Sequence, residues 1–497
     1  MTHRRSRSSQ PRARLVLAVA GVAMLAAGTA AASATITRIS TDPYANVSSQ
    51  HATEVEPDSF SFGSTIVMAT QVGRFTDGGS SNIGWSTSTD SGSSWTNGFL
   101  PRITVHGSPA GRYARVSDPS VAYDAMHGVW MISSLALDST VSGAAVLTSR
   151  STDGGLTWSD PMATAVAGAG NDFDKNWIAC DNTPASPFYG NCYTEFDDFG
   201  QGNLIRMSTS TDGGATWGSL RSTANSATGL GGQPVVQPNG TVVVPIANAF
   251  ETAILAFVST SGGANWSSPV TISTVKDHAV AGGLRSGPLP SAEIDGAGNV
   301  YVAWQDCRFV RSCKANDIVM STSTNGTTWS SVRRIPIADP IANPKGKKTV
   351  ADRFIPGLAV DQNTSGATAH LALAYYFYPD AACSASTCKL DVGYVSSLDG
   401  GTTWSSVTQL AGPMTLSWLP ATTQGRMVGD YISTSFSGGL AYAFFAVANA
   451  PSGSTFDQAI WTNATGLAAA AGTNQVSETA VAASADHPAP PSAVARH

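Results

Sequence analysis

The sequence predicts an all-β chain assembled from repeated four-stranded antiparallel units, and three observations carry that prediction. A turn motif ending in Trp recurs six times, Ser, Thr and Gly stand where charge is usual, and apolar residues alternate ahead of the motifs. Only 12% of the 497 residues are charged, against roughly 25% in ordinary globular domains. A chain rich in hydroxyls and glycine suits exposed strands and tight turns better than helices.

The motif is Ser-x-Asp-x-Gly-x-x-Trp. It stands intact as Ser88, Asp90, Gly92, Trp95; as Ser151, Asp153, Gly155, Trp158; as Ser210, Asp212, Gly214, Trp217; and as Ser397, Asp399, Gly401, Trp404. Two copies diverge: Ser259, Ser261, Gly263, Trp266, and Thr322, Thr324, Gly326, Trp329. Asp accepts hydrogen bonds from turn N–H groups, Gly supplies positive φ, and Trp lays an apolar face between neighbouring sheets. An alternating stretch such as Ala145-Val146-Leu147-Thr148-Ser149 leads into the motif, so each copy is expected to close a hairpin.

Each motif belongs to a longer unit. In one, apolar runs at 291–295, 300–304, 317–321 and 331–335 read as four antiparallel strands, one blade of a β-propeller. The same reading gives units near 47–101, 112–165, 172–223, 228–275, 287–338 and 350–411. A seventh begins at Gly429-Asp430-Tyr431-Ile432 without a motif of its own, and its fourth strand is expected from the N-terminus. The expectation is a seven-bladed β-propeller over 35–465, with six blades as the alternative if the end units merge, followed by a disordered Ala-, Ser- and Pro-rich tail over 466–497.

The first 34 residues read as an export signal: an arginine-rich start, a short apolar run, and Ala32-Ser33-Ala34 as cleavage site. A secreted, extracellular protein follows, with no membrane span once the signal is removed. Six cysteines form three close pairs, Cys180 with Cys192, Cys307 with Cys313, and Cys383 with Cys388, the simplest set of local disulfides for an oxidising compartment. A net charge of −6 gives no basic footprint for nucleic acid. No metal-ligand spacing occurs and no cofactor is expected; the Glu195-Phe196-Asp197-Asp198 run reads either as oxygen ligands for Ca²⁺ or as a solvated acidic loop. A monomer is expected.

The repeated motif resembles the Asp-box, or bacterial neuraminidase repeat, of the sialidase superfamily, and the resemblance spans nearly all of the exported part. It implies a propeller and, as one outcome, a secreted sialidase-like glycoside hydrolase acting on extracellular glycans. Related motifs occur in non-catalytic propellers, so a module that binds glycans or proteins is the alternative. The resemblance also implies three arginines gripping an anionic sugar, an Asp acid/base, and a Tyr nucleophile beside a Glu. The sequence departs from this at one point: the Phe/Tyr-Arg-Ile-Pro of the first blade is missing, and Arg334-Ile335-Pro336 follows the fifth motif, on an outer strand.

Charged residues gather where the innermost strands begin. On the hydrolase reading, Asp118, Asp174, Glu195 and Tyr431 are the catalytic candidates, while Arg285, Arg353, Arg426 and Asp430 bind substrate. On the other reading these are Asp–Arg pairs that fix the register of neighbouring blades. Loop residues such as Arg74 and Asp77 add to the same rim. Trp177, Trp304, Tyr376 and Trp418 are candidates for stacking on sugar rings, with packing as their ordinary role.

Overall fold

The structure, a computed structural model, describes residues 1–3, 32–339, 349–472 and 474–475. Nearly all of the expected export signal and the tail after Gln475 lie outside the described residues. Every element belongs to the unit Ala31–His497. The fold is all-β; helix is confined to five 3₁₀ turns of three residues each among the described residues.

Among the described residues the strands form six sheets of three or more strands and two two-stranded pairs, the largest sheet joining the first two strand groups; counted by their first strands, seven mainly antiparallel groups, here called sheets, follow one another along the chain. Their first strands are Glu54–Phe62, Arg115–Asp124, Phe173–Cys180, Val235–Val236, Ser291–Ile294, Asp352–Val360 and Ser433–Ser437. In each sheet the second and third strands fold back in simple hairpin order. The seventh sheet takes its outer strand from the N-terminus: Ile36–Arg38 pairs antiparallel with Trp461–Asn463. First strands of successive sheets meet along the chain, and Ser433–Ser437 packs in turn against Glu54–Phe62 of the first sheet. The ladder pair Ser80–Val116 joins the first and second sheets, and side-chain to backbone bonds tie other neighbours, as where Ser291 Oγ accepts from Leu358 N at 3.0 Å.

The motifs sit at the corners after the third strands. Ser151 Oγ accepts from Gly155 N at 2.9 Å and donates to Asp153 Oδ1 at 2.7 Å, while Asp153 accepts from Thr157 N at 3.0 Å. Ser88, Ser210 and Ser397 repeat this pattern with Gly92, Gly214 and Gly401 at 2.8, 2.9 and 3.0 Å. Gly155 has φ +82°, and a Cβ there would stand 2.7 Å from Val67 of the preceding sheet. The glycine therefore serves both the turn and a close approach between sheets.

The fifth copy corrects its expected register. Ser323, not Thr322, accepts from Gly326 N at 2.8 Å, and Asn325, not Thr324, accepts from Thr328 N at 2.8 Å. The turn is one residue shorter, and an amide oxygen replaces the carboxylate. In the fourth copy Ser261 Oγ takes the Asp place, accepting from Asn265 N at 3.0 Å.

Two further expectations change. Residues 467–468 pair with the second strand of the seventh sheet, and Asn474–Gln475 with Thr403–Trp404, so order extends past the expected boundary at 465. The Glu195–Asp198 run is no loop. It ends the strand Cys192–Asp198 and is buried, with Asp197 bound by Asn203 Nδ2 at 2.7 Å and Asp198 by Asp172 N at 3.1 Å. Strand alternation sends Asp197 and Asp198 to opposite faces. Among the described residues no group of three or more His, Cys, Asp or Glu side chains is placed to hold a metal. The three cysteine pairs are bonded as the spacing suggests.

Candidate functional site

Four of the first strands share a local device. Each breaks its pairing register at a residue with left-handed backbone: Glu56 at φ +57°, Asp118 at +47°, Lys175 at +53° and Ile355 at +50°. Such conformations cost a non-glycine residue roughly 1–2 kcal/mol each. The bulge turns a side chain out of the pleat, and three of the four place a charged group in one buried cluster.

Asp430 is the hub of that cluster. Arg285 grips it with both ends of its guanidinium, Nε lying 2.6 Å from Oδ1 and a terminal nitrogen closer still to Oδ2. Lys175 Nζ bonds the same Oδ2 and stands 3.5 Å from Asp118. Glu56 Oε1 accepts from Asp430 N at 3.2 Å, and Glu56 Oε2 from Gln71. Arg74 lies nearby, donating to Gly79 O at 2.9 Å. The first, second, third and seventh sheets, with the segment before the fifth, thus meet in one ionic network.

Electrostatics sort these groups. Burial, then the Asp118 and Asp430 carboxylates, lift Glu56 from 4.5 to about 7. Burial works the same way on Asp430, but Arg285 and Lys175 outweigh it and hold that carboxyl well below its usual range. Lys175 is pulled down by burial and more strongly raised by Asp430, Asp118 and Glu56. Burial pushes Tyr431 far up, the surrounding carboxylates adding to it; its hydroxyl donates to Pro119 O at 3.0 Å. A phenol so placed is held neutral.

A narrow pocket opens onto the network. Asp118, Lys175, Asn176, Trp177, Gly231, Gln233, Leu289, Pro290 and Tyr431 line it. Trp177 meets Tyr431 edge to face, with ring centroids 5.0 Å apart. Beneath lies Glu195, paired across the strand with Trp177. Its carboxyl is buried, and burial carries it well above its ordinary value although the N–H of Gly232 pulls the other way.

The structure therefore brings Asp118, Tyr431, Arg285 and Asp430 together, with Glu195 behind them. The other expected residues lie apart or serve differently. Asp174 faces the backbone, accepting from Lys175 N at 2.8 Å. Arg353 binds Asp317 at 3.0 Å and Asp339 at 2.8 Å, which fastens the sixth sheet to the fifth. Arg426 reaches Leu419 O, and its carbonyl accepts from Arg285 N at 2.8 Å, so it steadies Arg285 through the backbone. Arg334 pairs with Asp317 at 2.8 Å. Trp304 and Tyr376 are wholly buried; Trp177 and Trp418 are half-buried, Trp418 packing against the core.

Sequence reasoning passed over Glu56 and did not single out Lys175. A signal was available: Glu56-Pro57, Asp118-Pro119 and Ile355-Pro356 occupy the same bulge in three sheets.

Similar solved structures include sialidases, arabinofuranosidases and a Dyadobacter fermentans protein of unknown function. The Hadza microbial sialidase Hz136 is 15% identical over 73% of this chain, which spans 66% of that protein's length, with a TM-score of 0.43. Trypanosoma rangeli sialidase, solved with sialic acid, is 13% identical over 75% of this chain and 60% of its own, with a TM-score of 0.43. The α-L-arabinofuranosidase Arb93A from Fusarium graminearum is 13% identical over 71% of this chain and 93% of its own, with a TM-score of 0.41. No protein-family model matches the chain, and no curated protein does.

Proposed function

We propose that this chain is a secreted, non-catalytic propeller of the Asp-box kind that binds glycans at the Trp177–Tyr431 pocket. One observation carries the reading: the arginines expected to grip an acidic sugar are each committed within the protein. Arg285 holds Asp430 with two bonds, Arg353 holds Asp317 and Asp339, and Arg426 caps a carbonyl. A carboxylate-binding triad needs three guanidinium groups free to converge on one point. Half-buried Trp177 leaves part of an aromatic face on which a sugar ring can stack beside the pocket.

The seven sheets are the blades on this reading. Contact between successive first strands and the shared seventh sheet support ring closure, and the three disulfides support export. The direct test gives the purified chain aryl sialosides, aryl arabinofuranosides and a glycan array. Binding without turnover is expected. Turnover that disappears in Tyr431→Phe would replace this reading with the hydrolase.

The hydrolase reading keeps one observation in its favour. Glu56 and Asp430 are carboxylates whose affinities for a proton are driven apart, the division of labour between an acid and a base. Under it, Glu56→Gln abolishes turnover in the same assay.

A further inference from the structure

We infer that the groove between the fifth and sixth corner hairpins is a second glycan site, one that takes an acidic oligosaccharide with a carboxylate on Arg333. The groove encloses about 620 Å³, within the roughly 300–1,000 Å³ usual for ligand sites. Its wall comes from the fifth corner, the outer strand Arg333–Arg334 and the sixth corner. It shares no lining residue with the Trp177–Tyr431 pocket. Strands alternate in direction: in the second sheet Arg115, near the Asp118 bulge, pairs with Leu137, while the motif residue Ser151 pairs with Trp130 at the other end. The corners therefore stand away from the bulges that build the hub, and the two sites are independent.

Two adjacent arginines divide their roles. Alternation along the strand sends their side chains to opposite faces. Arg334 is fastened to Asp317 at 2.8 Å. Arg333 is half-buried in the groove wall and makes no hydrogen bond or ion pair among the described residues. The carboxylate in the wall is Asp399, and its oxygens are taken: Oδ1 accepts from Thr403 N and Ser397 Oγ, both at 2.8 Å, and Oδ2 from Thr403 Oγ1 at 2.7 Å. Four corners carry that Asp, but the fifth has Asn325, whose oxygen accepts from Thr328 N at 2.8 Å. The uncommitted charge of the groove is thus a guanidinium, whose fork matches a carboxylate. The chain as a whole carries −6, so no general field gathers anions here and the contact must be local.

The rest of the wall selects a sugar. Ser, Thr and Asn make up most of it. Hydroxyls and amides both donate and accept, which matches a row of ring hydroxyls better than the apolar side chains of a peptide. Trp329 is half-buried, and its Nε1 donates to Gly326 O at 3.2 Å, which fixes the indole in the groove wall. The carbon face of a sugar ring packs on such a surface. A uronate-bearing chain brings the hydroxyls, the carbon face and the acid together.

The test is calorimetric titration of the purified chain with hexagalacturonate, with its methyl ester, and with a hexaglutamate peptide. Hexagalacturonate is expected to bind. The ester keeps the ring hydroxyls and loses the charges, and should bind about tenfold more weakly or worse, the usual worth of a charged hydrogen bond. Arg333→Gln should weaken the acid about tenfold, leave the ester unchanged, and keep the parent's melting temperature, since the guanidinium has no partner to lose. Equal binding of the acid by R333Q and parent would overturn the inference. So would an ester that binds as tightly as the acid, hexaglutamate that binds more tightly than hexagalacturonate, or an acid that does not bind. None of these outcomes bears on the Trp177–Tyr431 pocket, which the glycan array tests by itself.

Discussion

Asp430 carries two cations on one carboxylate, 6% exposed, and each partner is buried as well. Removing its charge leaves Lys175 and Arg285 without their common counter-ion in a site with little water. Breaking such a pair from one side typically costs about 3–5 kcal/mol. Asp430→Asn is expected to lose stability of that order in urea denaturation, and Arg426→Ala, whose part is played by its backbone, far less. At this scale the sequence was informative about which residues bear charge and silent about pairing. Arg353 and Arg285 look alike as isolated arginines near a strand start. Only the approach of Asp317 from a neighbouring strand, and of Asp430 from the far end of the chain, separates a fastening from a hub. Glu56 was hidden for another reason: it lies within a strand, where alternation would bury it harmlessly, and only the bulge turns it toward Asp118.

The corner hairpin is the element that repeats, and two adjacent glycines in one copy divide its physics. Gly154 has φ +84° with nothing within 4 Å of a would-be Cβ, whereas Gly155 has φ +82° and meets Val67 at 2.7 Å. Gly154→Ala should cost about 1–2 kcal/mol, the backbone penalty alone. Gly155→Ala adds overpacking against the neighbouring sheet and should cost about 2–4 kcal/mol. Paired thermal melts check the difference; equal losses would show that the turn matters and the sheet contact does not. These corners were legible because their chemistry is local, confined to a few consecutive residues. Where the turn shortened by one residue, at Ser323 and Asn325, letter matching chose the wrong pair, since spacing was taken from the longer copies. The bulges were illegible because a register shift is a relation between two strands.

Across the whole molecule, the buried carboxylates set a pH dependence. Glu56 and Asp58 titrate near 7 when folded, against ordinary values of 4.5 and 3.8, mainly because burial disfavours the charged form. Between those limits the native state holds more protons than the unfolded chain, so stability falls as pH rises through that window. Asp430 acts in the opposite sense: its contribution is present above its ordinary 3.8 and is lost as pH drops below. The melting temperature is therefore expected to peak at about pH 5 and to decline toward about pH 8. A calorimetric series across that range checks the sign; a steady rise to pH 8 would contradict it. Disulfides add a second dependence. Cys180–Cys192 closes a loop with a sequence separation of 12 and joins paired strands. Replacing both cysteines with alanine should cost about 2–3 kcal/mol by chain entropy. Order of strands along the chain was readable from sequence for the inner strands, which are consecutive segments in every sheet; the exceptions are outer strands brought in from the chain's ends, Ala32–Ser33 beside Thr408–Gln409 and, in the last sheet, Ile36–Arg38.

That last strand has a consequence for biogenesis. Ser40 bonds the backbone of Ile460, 420 residues away. A ribosome finishes the strand at Ile36–Arg38 long before its mate at Trp461–Asn463 exists. Throughout elongation, an early edge must wait with its amides unmatched, open to the wrong partner. Chaperones that shield this edge, and any lag before the two termini find each other, would then govern the yield of functional product more than the thermodynamics of the finished fold.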